Sequence, residues 1–195
     1  MRQAIIERNT RETQITLTLA LDGAGESQIR TGCGFLDHML TLLSKHALMD
    51  LNITCQGDHS VDDHHTVEDV GICLGQALRR ALGDKRGIRR YGDCVLPMDE
   101  ALVLVALDLS GRALLTYAMR IPARKVGTFD TELAEEFFSA LCREAGITLH
   151  IGQLCGRNSH HLIEAAFKGF ARALREAASP DERLGDALPS TKGSL

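Results

Sequence analysis

The chain has 195 residues, 44% of them hydrophobic and 25% charged, with a formal net charge of −4. These are proportions of a soluble globular protein, long enough for one ordinary domain or two small fused halves, and the acidic balance argues against nucleic acid as the main partner. No apolar run approaches the roughly 20 residues that cross a bilayer, and MRQAIIERNT lacks a signal-peptide core, so no membrane partner is expected and the protein is predicted to be cytoplasmic. Its six cysteines (33, 55, 73, 94, 142 and 155) include no C-x-x-C pair and read as small buried hydrophobes.

In chain order, residues 3–8 suit a short strand, and Ile15, Leu17, Leu19 and Leu21 alternate with smaller or polar residues, the period of a half-buried strand. Asp22-Gly23-Ala24-Gly25 is turn chemistry, and a short strand is expected near 27–31. A helix over about 35–47 carries the apolar face Phe35, Leu36, Met39, Leu40, Leu42 and Leu43, and 49–56 reads as the next strand. The acidic loop GDHSVDD then leads into a helix starting at His64, with Asp63 as its expected N-cap and Gly83 at its C-terminal end. A basic loop follows, with Lys85, Arg86, Arg89 and Arg90.

The same order returns: strands near 94–97, 101–109 and 112–121, a polar loop with Pro122 and Gly127, a helix over 131–145, a strand over 147–154 and a helix over 160–178 capped from Asn158-Ser159. Both halves read β-β-β-α-β-α. The expected fold class is therefore α+β, an internally duplicated unit with two mixed sheets and helices on one face of each. The expected division is a first half over 1–92, a second over 93–178 and an irregular tail over 179–195.

The duplication carries chemistry. HHTVE at 64–68 and HHLIE at 160–164 repeat His-His-x-x-Glu 96 positions apart. A helix turns about 100° per residue, so either histidine of a pair shares a face with its glutamate while the two imidazoles diverge. The economical reading is two metals, each taking one histidine from a pair. His38 precedes His64 by 26 residues and Glu136 precedes His160 by 24, so these two occupy matching places. The candidate ligands are His38, His64, His65, Glu68, Glu136, His160, His161 and Glu164, four for each metal, leaving open positions for substrate and water. Imidazole and carboxylate without thiolate suit manganese, iron or zinc, and six-coordination favours manganese or iron.

A single His-His pair at a helix start is more often a solvated surface feature; its duplication with the glutamate spacing retained favours metal. His46 follows His38 by eight residues and could reach the site, His59 reads as a loop residue, and His150 reads as a structural strand residue. Arg89, Arg90, Arg112, Lys168 and Lys192 have the chemistry to bind a phosphate, although by residue pattern alone ordinary surface charge accounts for them better. A metal-storage or structural assembly and a dinuclear hydrolase are the rival classes.

At these residues the sequence resembles the imidazoleglycerol-phosphate dehydratases of histidine biosynthesis. The resemblance runs through RNTRET (8–13), GFLDHML (34–40), GDHSVDDHHTVED (57–69), LDLSGR (107–112), GRNSHHLIEAAFKGFARALR (156–175) and PSTKG (189–193). It implies a ribosomal protein S5 domain 2-like fold in two copies, two manganese ions per active site and a homo-oligomer of 24 subunits with sites at subunit contacts. It also implies a small phosphate substrate whose imidazole ring sits as imidazolate between the metals. Glu12 is the implied general acid or base, with His46 as second candidate, and Arg90, Arg112, Lys168, Ser190 and Lys192 match positions for substrate or phosphate contact. One departure stands out: some members carry histidine where this chain has Glu136.

Overall fold

The computed structural model describes residues 2–193 and residue 195; Ser194, within the expected irregular tail, lies outside the described residues. Among the described residues, ten strands and four helices run in the order β1 (Gln3–Asn9), β2 (Thr13–Ala20), β3 (Ser27–Arg30), α1 (Gly34–Ala47), β4 (Asp50–Gly57), α2 (His64–Leu82), β5 (Tyr91–Met98), β6 (Ala101–Asp108), β7 (Leu114–Ala118), β8 (Lys125–Val126), β9 (Phe129–Asp130), α3 (Leu133–Ala145), β10 (Thr148–Cys155) and α4 (Ser159–Ala178).

The duplication is legible in the sheets. The first has the order β1-β2-β4-β3 and the second β5-β6-β10-β7. Each contains two antiparallel pairings followed by one parallel one, β3 on β4 and β7 on β10. Alternation sets the inward faces: Ile15, Leu17 and Leu19 of β2 and Val103, Val105 and Leu107 of β6 are buried. Helix α2 packs on β1 and β2, and α4 on β5 and β6, while α1 meets α4 and α2 meets α3. The helical layers of the two halves therefore face each other. Phe137 and Phe138 of α3 stack with Phe167 and Phe170 of α4 at centroid distances of 4.7 to 5.5 Å. Truncating such a buried ring costs about 3–5 kcal/mol.

The contact between α2 and α3 depends on glycine. A Cβ on Gly71 would lie 2.8 Å from the Phe137 carbonyl oxygen, and one on Gly75 would lie 2.6 Å from that of Leu141. Only residues without a side chain let the two backbones approach this closely.

Some local expectations change. Asp63 precedes α2 but makes no side-chain cap bond. Its carboxylate is engaged by His59, and Asp62 accepts the His64 N–H at 2.8 Å instead. The polar loop around Gly127 contains the short hairpin β8–β9. All six cysteines are free, but Cys94 is half-buried and Cys155 exposed.

Candidate metal centre

The N-termini of α1 and α4 bring ligands from both halves together. His38, His160 and Glu164 each direct one ligand atom into a space where all three lie within 4.8 Å of one another. Glu164 Oε2 is 2.9 Å from His160 Nε2 and 3.6 Å from His38 Nε2. Asn158 accepts from the backbone N–H groups of His160 and His161 and so fixes the first turn of α4, as expected from the sequence. Phe35 presses edge-on against the His160 ring at 5.3 Å. A cluster of imidazole and carboxylate with no thiolate fits a divalent ion of the manganese, iron or zinc kind.

Glu164 is buried, which taken alone would push its carboxyl up, but hydrogen bonds from Lys168 and His160 outweigh burial and hold it below the ordinary range. Lys168 Nζ lies 2.5 Å from Glu164 Oε1. His46, two turns beyond His38 on α1, is pushed down by burial and by the nearby Lys168 and Arg172 charges.

The remaining candidate ligands do not join a second cluster of three among the described residues. Glu68 pairs instead with Arg143 of α3 at 3.2 Å, and Glu136 is exposed on the same helix. His65 and His161 turn away from their neighbours His64 and His160, with ring planes at 87° and 83°. Each meets a pair of carboxylates. His65 Nδ1 is 2.9 Å from Asp58 Oδ2, and its Nε2 is 3.7 Å from Glu12 Oε1. His161 Nδ1 is 2.8 Å from Glu100 Oε2, and its Nε2 is 3.6 Å from Asp99 Oδ2. The carboxylate bonds raise both histidines above their ordinary range, led by Asp58 for His65 and Glu100 for His161. Glu100, bonded by His161 and by the Asn158 and Arg157 backbone N–H groups, is lowered to about 2.

Glu12 is held by a rigid turn. Thr10 Oγ1 accepts from the N–H groups of Glu12 and Thr13, and the Thr13 hydroxyl donates to buried Asp69 at 2.5 Å. The second Asp69 oxygen pairs with Arg8 at 2.9 Å. His59 also has a role beyond that of a loop residue. It spans from Asp63 Oδ1 (2.8 Å) to the Thr31 carbonyl (3.1 Å), and Thr31 in turn donates to Asp37 at the start of α1. His59 therefore ties the helix carrying His38 to the helix carrying His64. His150 is exposed on β10. Asp58, Asp69, Asp99 and Glu100 were not singled out from the sequence, although Asp58 and Asp69 sit inside GDHSVDDHHTVED; Asp99 and Glu100 had no motif to signal them.

Lys168 stays at the Glu164 cluster and Arg89 pairs with Glu176, while Arg90, Arg112 and the tail residues gather elsewhere. Arg90, at positive φ just before β5, grips both oxygens of Asp108 at 2.7 and 3.1 Å and donates to the Pro189 carbonyl at 2.7 Å. Arg112 lies 3.8 Å from the same carboxylate. The Ser190 hydroxyl accepts from the Lys192 N–H, so the tail that carries both residues is anchored through Pro189 to Arg90. This group sits at one end of the β5–β6 pair and Glu100 at the other, separated by an eight-residue strand, about 23 Å at 3.3 Å per residue.

The family model for imidazoleglycerol-phosphate dehydratase matches residues 31–174. Proteins of that name from Ruegeria pomeroyi and Cereibacter sphaeroides are each 60% identical over 195 residues, covering 100% of this chain and of theirs. Among solved structures, the dehydratase from Staphylococcus aureus superposes with a TM-score of 0.84 at 45% identity, covering 92% of this chain and 99% of that one. The enzyme from Pyrococcus furiosus superposes with a TM-score of 0.85 at 39% identity, covering 97% and 100%. With the family model spanning most of the chain and full-length relatives 60% identical, the chain belongs to the imidazoleglycerol-phosphate dehydratase family of hydro-lyases.

Proposed function

We propose that this chain removes water from D-erythro-imidazoleglycerol phosphate to give imidazole-acetol phosphate, with the imidazole ring held as imidazolate between two manganese ions. The observation that carries this reading is the meeting of His38, His160 and Glu164 from both halves of a duplicated chain. The eight ligands would be His38, His64, His65, Glu68, Glu136, His160, His161 and Glu164. Bound there, the metals supply Lewis acidity that stabilises negative charge in the ring and orients it.

The substrate has no carbonyl beside the carbon that loses a proton, so the ring must take up the charge. The hydroxyl beside the ring leaves as water, the proton on the next side-chain carbon is removed, and the resulting enol tautomerises to the ketone. Glu12 is our candidate to move that proton. Its side chain is 53% exposed, its backbone is held by Thr10, and its carboxylate has no closer partner than His65 at 3.7 Å among the described residues. His46 is the second candidate, a neutral-leaning imidazole beside Lys168. Arg90, Arg112, Lys168, Ser190 and Lys192 would hold the phosphate end.

Arg90 and Arg112 lie about 23 Å along the sheet from Glu100, too far for one small substrate to reach from the α4 N-terminus. That separation favours sites completed between copies, and we propose a homo-oligomer of 24 subunits in the cytoplasm. Residues 1–92 and 93–178 would be the two copies of the unit, with 179–195 serving the site. Incubation with imidazoleglycerol phosphate tests the reading. Imidazole-acetol phosphate with no inorganic phosphate is expected; release of inorganic phosphate would point to a hydrolase, and metal uptake without product to a storage protein.

A further inference from the structure

Asp58 and Glu100 make the same contact in the two halves but come from different places in the chain. Glu12 and Glu100 are the register equivalents: each immediately precedes an eight-residue strand, β2 or β6, in the same position of its sheet. Yet Glu12 faces the Nε2 side of His65, whereas Glu100 lies behind His161 on Nδ1. In the first half the place behind the ring belongs to Asp58, from the loop after β4. The matched positions after β10 are Gly156, Arg157 and Asn158, none a carboxylate.

We propose that Asp58 and Glu100 are positioning residues that fix Nε2 of His65 and of His161 as the metal-binding nitrogens, leaving Glu12 free for the substrate. A carboxylate accepts only, so each ring must carry a proton on Nδ1, and once a metal displaces any proton from the other nitrogen the lone pair is at Nε2. The same bond reached from two unrelated chain positions does not follow from the duplication itself. It marks a requirement that each half meets separately. Glu100 is further locked because its other oxygen accepts from the Arg157 and Asn158 N–H groups at 3.1 and 2.7 Å.

The inference rests on the metal reading proposed above, and its test separates the two. Mn2+ binding to the full, assembled chain is titrated by the electron paramagnetic resonance signal of free Mn2+, alongside thermal unfolding. Wild-type protein that takes up no Mn2+ would sink the metal reading itself. If it binds, Asp58→Ala is expected to weaken one class of site about 10- to 100-fold, the usual cost of losing such a partner. Asp58→Asn, whose amide oxygen can still accept, should recover most of that loss. Glu100→Gln is the sharper variant. Its single oxygen is claimed by two backbone N–H groups, so its NH2 faces Nδ1 and forces the proton onto Nε2; a loss of at least about 10-fold is expected with the helix cap kept. Should Asp58→Ala fail to fold, Glu100→Gln carries the test. Wild-type Mn2+ affinity in folded Glu100→Gln would overturn the proposal.

Discussion

Lys168 donates to Glu164 at 2.5 Å within one helix, so the carboxylate proposed as a metal ligand already carries a cation before any metal arrives. The side chains are only 18% and 7% exposed. Removing one partner of a buried pair leaves the other charge uncompensated, at a cost of about 3–5 kcal/mol. Lys168→Met should therefore lower the unfolding midpoint of the metal-free protein, and Mn2+ should restore much of it by replacing the lost cation. Equal destabilisation with and without Mn2+, in a differential scanning measurement, would contradict the placement of Glu164 in the metal cluster.

Glu12→Gln keeps the shape of the side chain and the Thr10 bonds, which use the backbone. General acid–base groups contribute about 10²- to 10⁴-fold, so steady-state turnover should fall by at least about 100-fold. Metal content, measured by elemental analysis, should be unchanged. Near-normal turnover would remove Glu12 from the proton-transfer role.

Gly75→Ala pits helix propensity against a close backbone contact. Alanine is favoured within a helix by about 1 kcal/mol, but its Cβ would sit 2.6 Å from the Leu141 carbonyl oxygen. Overpacking of this kind costs about 1–3 kcal/mol, and because backbone rather than a side-chain tip must move, the upper part of that range applies. Net destabilisation of about 1–2 kcal/mol is expected in denaturant unfolding. Gly34→Ala, with nothing within 4 Å of its Cβ, should stay within about 0.5 kcal/mol of the parent.

Glu100 gives a pH signature. Its carboxyl is lowered to about 2 in the folded chain, chiefly by the His161 hydrogen bond and then by two backbone N–H groups. A depressed carboxyl contributes stability that is present above its unfolded value, near 4.5, and is lost as pH falls toward about 2. Metal-free Glu100→Gln should therefore lose less stability than the parent across that window when unfolding midpoints are compared. Parallel curves for the two proteins would show that Glu100 is not held by these bonds.

The sequence carried the layout of this molecule, because periodic and duplicated signals encode it. Ile15, Leu17 and Leu19 mark a strand by alternation, and the paired His-His-x-x-Glu segments mark two matched helix starts. What stayed hidden depends on contacts between distant segments. Glu100 is 61 residues from His161, and nothing local says that the β5–β6 turn will reach behind that ring. Asp63 looks like a cap by position, yet the nearby His59 competes successfully for its carboxylate. Gly71 and Gly75 read as weak spots in a helix until α3 is seen lying against them. Proximity was equally beyond reach: His38 meets His160 and Glu164, whereas Glu68 is drawn to Arg143 of the packed helix.

The most direct measurement is turnover of imidazoleglycerol phosphate by metal-stripped protein before and after addition of Mn2+, reading imidazole-acetol phosphate. Negligible product without metal and recovery on adding Mn2+ are expected. Full turnover by protein verified to be metal-free, or no product from protein verified to be Mn2+-loaded and assembled, would contradict metal-dependent dehydration by this chain.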